Sequence, residues 1–154
     1  MDANVSLSEN KLKNFVEYLD DYDSGVQKLN RYSKTDISFS PKIIAGSTIT
    51  YSPSDAMEYS LISKFVGSQF LDNTGNEQRR LNSYFLNDFR VILRPKLKHV
   101  ERLEVLLQVN NLFDVKYEPN GYTFSYYYGG QLATENFYFP MAGRNFMVGL
   151  NIRL

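Results

Sequence analysis

From Phe146 to Leu154 every second residue is apolar (Phe146, Val148, Leu150, Ile152, Leu154), with Met147, Gly149, Asn151 and Arg153 between them. A period of two is that of a strand with one apolar face. A soluble protein gains little from such a strand at a sheet edge, where it invites aggregation. A closed membrane barrel pairs its last strand with its first and turns the apolar face to lipid.

Five further segments carry a similar pattern. The first runs from about Asp2 to Leu7, with Ala3, Val5 and Leu7 on one face. The second runs from about Pro41 to Tyr51, with Ile43, Ala45, Ile49 and Tyr51 together, and ends at a turn over Ser52-Pro53-Ser54-Asp55. The third spans about Met57 to Phe70 and aligns Tyr59, Leu61, Ser63 and Phe65. The fourth spans about Asn82 to Leu93 and aligns Phe85, Phe89, Val91 and Leu93, with Asp88 and Arg90 opposite. The fifth spans about Leu103 to Phe113, with Leu103, Val105, Leu107 and Val109 on one face. Tyr18 to Lys34 is polar and reads as a long loop, Asp72 to Glu77 as a second, and Tyr117 to Gly143 as an aromatic, glycine-containing connection.

The expectation is an all-β chain, an antiparallel meander of about six strands forming an open segment of a larger transmembrane β-barrel. Connections after strands one, three and five are longer than those after strands two and four. Outer-membrane barrels share this asymmetry, with short periplasmic turns and long external loops. Most of the strands approach the 9–11 residues that span a bilayer when tilted. Tyr51 and Tyr59 flank the first short turn, and Phe70, Tyr84 and Phe85 the second long loop. Those are heights at which aromatic rings favour a membrane interface.

Composition narrows the function classes. The 154 residues include 17 basic and 17 acidic side chains and no long run of one sign, so nothing recommends a nucleic-acid partner. There is no Cys and one His, which excludes thiolate metal sites and multi-histidine sites. The 12 Tyr and 11 Phe suit strands and interfacial girdles. A mean hydropathy of −0.37 counts against a helical membrane protein and not against a barrel. No serine–histidine–acid set, phosphate-cradling loop or metal-ligand spacing appears, so no enzymatic activity and no cofactor are expected. The Asp20–Asp23 cluster reads as a solvated acidic loop rather than a calcium site. The basic stretch Arg94–Arg102 reads as a solvated turn.

Asn110-Asn111-Leu112-Phe113-Asp114-Val115-Lys116-Tyr117 resembles the asparagine-leucine-phenylalanine-aspartate…tyrosine segment on the penultimate barrel strand of TonB-dependent outer-membrane receptors, in the style of the Bacteroidetes type. Glu118-Pro119-Asn120-Gly121-Tyr122, Pro140-Met141-Ala142-Gly143-Arg144 and Leu71-Asp72-Asn73-Thr74 also look like that family. Gly149, Ile152 and Leu154 resemble the C-terminal assembly signal of outer-membrane barrels, with Leu154 where Phe is usual and Met147 where a polar residue is common.

The resemblance implies that residues 1–154 are the C-terminal part of such a receptor's barrel. Met1–Ser6 has neither a basic nor an apolar leader region, and Val5 and Leu7 read as a strand under way. A plug domain, TonB box and signal peptide are expected elsewhere in a longer chain. The implied function is energised uptake of a scarce ligand, such as a siderophore, cobalamin or an oligosaccharide, across the outer membrane. The implied partners are the rest of the barrel, the plug, the TonB complex through that plug, the barrel assembly machinery and outer-membrane lipid. Tyr122, Phe124, Tyr126, Tyr127 and Tyr128 are candidate external ligand contacts, since Tyr stacks on apolar faces and hydrogen-bonds through its hydroxyl; the plainer alternative is a hairpin extending the wall. Asp88 and Arg90 read as a wall ion pair or a grip on the plug. A soluble β-rich carbohydrate-binding module and a small free-standing barrel are the alternative classes.

Overall fold

The computed structural model describes residues 1–153, so the expected strand end at Leu154 lies outside the described residues. Twelve strands, numbered in chain order, span Asp2–Leu7 (β1), Lys11–Asp21 (β2), Val26–Asp36 (β3), Ile43–Ser54 (β4), Met57–Val66 (β5), Gln69–Phe70 (β6), Arg80–Leu81 (β7), Tyr84–Leu93 (β8), Arg102–Asn110 (β9), Asn120–Tyr128 (β10), Gln131–Phe139 (β11) and Asn145–Arg153 (β12). Six of them form one antiparallel sheet in the order β1-β4-β5-β8-β9-β12. These are the six segments that the period-two pattern marks, and their neighbours in space follow chain order.

Register puts the alternating apolar residues of all six strands on one face. Phe146, Val148, Leu150 and Ile152 pair with Val109, Leu107, Val105 and Leu103. Val109, Leu107 and Val105 pair in turn with Phe89, Val91 and Leu93, and these with Leu61, Tyr59 and Met57. Leu61 and Tyr59 meet Ile49 and Tyr51, while Ala45 and Ile43 meet Val5 and Leu7. A one-residue slip in any pair would move a whole strand's apolar set to the other face, so the shared pattern fixes the register. The opposite face carries Asn4, Thr48, Thr50, Glu58, Ser60, Lys64, Asp88, Arg90, Glu104, Gln108 and Asn110. Polar side chains bridge strands there: Arg90 Nε donates to Gln108 Oε1 at 2.8 Å, and Asn110 Nδ2 to Asn145 Oδ1 at 2.8 Å.

Nothing described packs against the apolar face. Phe146 and Val148 are 74% and 73% exposed, and Leu150 and Ile152 are exposed as well. The buried hydrophobic residues, Leu19, Val66, Leu71 and Leu81, lie instead at one end of the sheet. All three long connections emerge at that end, which we call the crown. The other end carries the short links Asp55–Ala56 and Arg94–Glu101.

The crown departs from expectation. Tyr18 to Lys34 is a hairpin rather than a loop: β2 and β3 pair from Lys11/Asp36 to Asp21/Val26. Its pattern is hidden because both faces carry polar groups that satisfy one another across the strands. Asn30 Nδ2 and the Tyr32 hydroxyl both donate to Glu17 Oε2, and Gln27 Nε2 donates to Asp20. Tyr117 to Gly143 contains a second hairpin, β10–β11. The two hairpins join through a parallel pairing of Tyr126 with Asp20 and Tyr127 with Asp21, giving a four-stranded sheet in the order β11-β10-β2-β3.

Strand ends also shift. The third segment stops at Val66 and resumes as the short β6–β7 pair, with the Gly67 N–H donating to Ile43 O at 2.8 Å. β4 runs on through Ser54, past a register irregularity between Tyr51 and Ser54 that accommodates Pro53. β9 ends at Asn110, so Asn111–Asp114 is a turn that closes the penultimate strand rather than part of it.

Candidate functional site

The Asn111–Asp114 turn shows why these residue types stand together. Asn111 and Asp114 both adopt positive φ, 51° and 54°, a region that Asn and Asp tolerate better than most residues. The Asn111 side chain clips the backbone of Val115 twice, accepting its N–H at 2.9 Å and donating to its carbonyl at 2.9 Å. Asp88 Oδ1 accepts the Asn111 N–H at 2.8 Å. Asp88 and Arg90 therefore serve different partners, a turn and Gln108, and do not form the expected ion pair with each other. Asp114 Oδ1 accepts the backbone N–H of Arg144 at 2.8 Å and so pins the entry to β12. Its carboxyl is held below the usual range by that N–H and by Lys116. A side chain at Gly143 would collide with this carboxylate.

Arg79 organises the crown. It is 3% exposed, and its Nη1 lies 2.6 Å from Glu17 Oε1 and 2.7 Å from Asp72 Oδ2. Burial opposes ionisation of Glu17, but the Arg79 guanidinium and the donors Asn30 and Tyr32 outweigh it and hold the carboxyl below its ordinary range. Burial, together with its bond to Glu17, pushes the Tyr32 hydroxyl up to about 12. The Leu71–Thr74 segment supplies the rest: Asp72 also accepts from the Thr74 hydroxyl, Asn73 Oδ1 accepts the Ser38 N–H, and Leu71 packs where a Cβ on Gly121 would stand.

The acidic cluster is spent on the same task. Lys28 lies 2.9 Å from Asp21, which also accepts the N–H groups of Asp23 and Ser24, and its carboxyl is lowered to about 2. Asp23 reaches across to the other hairpin, where its two oxygens accept the N–H groups of Gly129 and Gly130 at 3.0 and 2.8 Å. Both glycines have positive φ, so successive amides converge on one anion. The basic stretch is likewise more than a solvated turn. Arg94 bridges Glu58 and Glu104, each at 3.0 Å, and ties three strands together at the end opposite the crown.

The five candidate aromatic contacts separate. Tyr122, Phe124, Tyr126 and Tyr128 alternate along one face of β10, whereas Tyr127 lies on the other, with the Lys28 ammonium 3.8 Å from its ring centre. The first face continues as a row of rings. Tyr122 stacks on Phe137 at 4.8 Å and 13°, Phe124 meets Tyr126 at 5.3 Å, and Tyr126 meets Tyr22 at 5.4 Å. The Tyr126 hydroxyl donates to Glu135 at 2.9 Å. Tyr22, Phe137 and Phe139 belong to this row, yet only the pairing between hairpins brings Tyr22 to it. Gly149 and Ile152 fall on opposite faces of β12: Gly149 sits across from Leu106, and Ile152 across from Leu103.

The fold is that of an all-β, open antiparallel wall capped by a second sheet. Its likeness is to an import receptor. The closed form of the ferric-catecholate import receptor Fiu from Escherichia coli K12 superposes with a TM-score of 0.58 over 92% of this chain, at 16% identity. The chain spans 24% of that receptor's length, and at this identity the likeness is one of fold. No protein-family profile matches the chain, and no curated protein matches it.

Proposed function

We propose that this chain is the C-terminal wall and part of the external layer of a TonB-dependent outer-membrane uptake receptor. The observation that carries the reading is the apolar face shared by six paired strands, interrupted only at its polar row Ser47, Ser63 and Asn87, where Ser63 donates to Asn87 at 2.7 Å, with nothing packed on it among the described residues. In water such a face is a liability. In lipid it is required, and every backbone donor and acceptor must then be satisfied within the wall. The likeness to an import receptor and the family-like turn at Asn110–Tyr117 support the same reading. The chain's part is to bind and to enclose, with no chemical step; plug, TonB complex and the remaining strands complete the device.

In this reading the crown faces the outside, and the row Tyr22, Tyr126, Phe124, Tyr122, Phe137 contacts ligand. Aromatic rings offer flat apolar faces rimmed by hydroxyls, which suits a ring-bearing ligand such as a siderophore or an oligosaccharide. The test begins with fractionation: the protein carrying this chain is expected in outer-membrane fractions, as a folded form whose gel mobility changes on boiling. Recovery as a soluble monomer without detergent overturns the proposal. Replacing Tyr122, Phe124 and Tyr126 by Ser together is expected to lower ligand uptake at least tenfold with assembly unchanged. Full uptake by that variant removes the row from the binding site while leaving the wall assignment standing.

A further inference from the structure

A cavity of about 360 Å³ opens where the apolar face meets the crown. Its lower wall is Ile43 and Phe65, which belong to the apolar face of β4 and β5. Its upper wall is polar and holds Lys42, Arg80, Ser68 and Glu77. β1 flanks it on one side and β8 on the other, so it sits within the wall and not at an open edge.

The charges are unequally committed. Asp36 lies 2.6 Å from Lys11 and 3.7 Å from Lys42, so Lys11 takes most of its charge. Lys42 is left as a cation 60% exposed at the cavity rim. Arg80 bonds to Glu77 and to the Ser68 hydroxyl, yet stays 40% exposed, with further N–H groups free to turn to an anion.

An apolar floor continuous with the apolar belt lies one residue below a rim where the exposed Lys42 ammonium and the Arg80 guanidinium stand beside the carboxylates of Asp36 and Glu77. The N–H groups these cations leave free match a molecule with hydrocarbon below and an anionic group at the boundary. The geometry points to a phosphorylated outer-leaflet lipid as the occupant, one acyl chain against Ile43 and Phe65 and a phosphate at Lys42 and Arg80. Arg and Lys at a membrane boundary hold such groups by charge-assisted hydrogen bonds. The inference rests on the membrane reading above and adds a resident ligand to it, separate from the aromatic row.

The test uses the protein carrying this chain, extracted from membranes in detergent and titrated with lipid A, with dephosphorylated lipid A and with inorganic phosphate, bound ligand being read by native mass spectrometry. Tighter retention of lipid A than of its dephosphorylated form is expected, with an about tenfold loss of affinity in the K42Q/R80Q variant. Equal retention of the two lipids, or by wild type and variant, overturns the assignment. Competition by inorganic phosphate as strong as by lipid A overturns the lipid in favour of a free anion. Where the double variant fails to assemble, Lys42→Gln, a change at an exposed side chain, is expected to lose about threefold, and no loss is again fatal. A protein that never enters the membrane removes the wider reading along with this one.

Discussion

Arg79 Nη1 lies 2.6 Å from Glu17 Oε1, joining residues 62 positions apart in the chain. Arg79 also holds Asp72, so one buried cation couples the β2–β3 hairpin to the β6–β7 segment. Removing one partner of a buried pair strands the others in low dielectric, which costs about 3–5 kcal/mol. Arg79→Ala is therefore expected to loosen the crown and leave the wall intact. Hydrogen exchange should accelerate across β2 and β3 and stay slow in β5 and β8. Equal acceleration in both regions would show that the crown and wall unfold together.

Crown stability should depend on pH at both extremes. Lys28 and neighbouring amides hold Asp21 at about 2, below its ordinary 3.8. A lowered carboxyl adds stability that is fully present above its unfolded value and is lost as pH falls through the folded one. The acid limb is thus expected between about pH 4 and 2. Tyr32, raised to about 12, adds stability present below about pH 10 and lost on rising towards 12. Exchange protection of β2 and β3 measured against pH should show both limbs, with Asp21→Asn flattening the first and Tyr32→Phe the second.

The Asn111 turn should be intolerant. Asn111→Ala leaves the N–H and carbonyl of Val115 without their side-chain partner and places Ala at positive φ. A loss of about 1–3 kcal/mol per stranded group follows. Chemical denaturation is the measurement, and Gly143→Ala is expected to produce a similar loss by displacing Asp114 from Arg144. Asn111→Gly, which relieves only the backbone strain, should remain destabilised; full recovery would show that conformation and not the clip to Val115 is what matters.

Two positions on β12 separate the faces. Leu150→Arg puts a charge on the apolar face, where a lipid-facing cation near mid-bilayer costs about 2–4 kcal/mol. Asn151→Arg puts the same charge on the polar face. Assembly into outer membranes is expected to fail or slow for the first and to proceed for the second. Equal tolerance would mean that the apolar face does not meet hydrocarbon.

The wall was legible because its two faces differ in polarity. Phe146, Val148, Leu150 and Ile152 alternate with Met147, Gly149 and Asn151, and that contrast reports both strand and register. β2 and β3 lack the contrast: Glu17, Asn30 and Tyr32 bind one another on a face that a hydropathy pattern reads as loop. Spacing likewise groups Tyr126, Tyr127 and Tyr128, although alternation along β10 sends the middle ring to Lys28. Tyr22 gave no signal because its place in the aromatic row depends on a parallel pairing between segments a hundred residues apart. Asp23 was visible as an acid, but its partners Gly129 and Gly130 are backbone amides, which no side-chain pattern encodes.

The parallel pairing of β10 with β2 has a mechanical consequence. The hairpin containing β2 rises between β1 and β4, and the one containing β10 between β9 and β12. These gaps stand at opposite flanks of the six strands, about 20 Å apart at ordinary strand spacing. A tie between the tips of an arc acts as a bowstring: it sets the radius of the bow. Cutting it, by substituting Asp23 and Lys28 together, should let the arc relax towards a flatter shape.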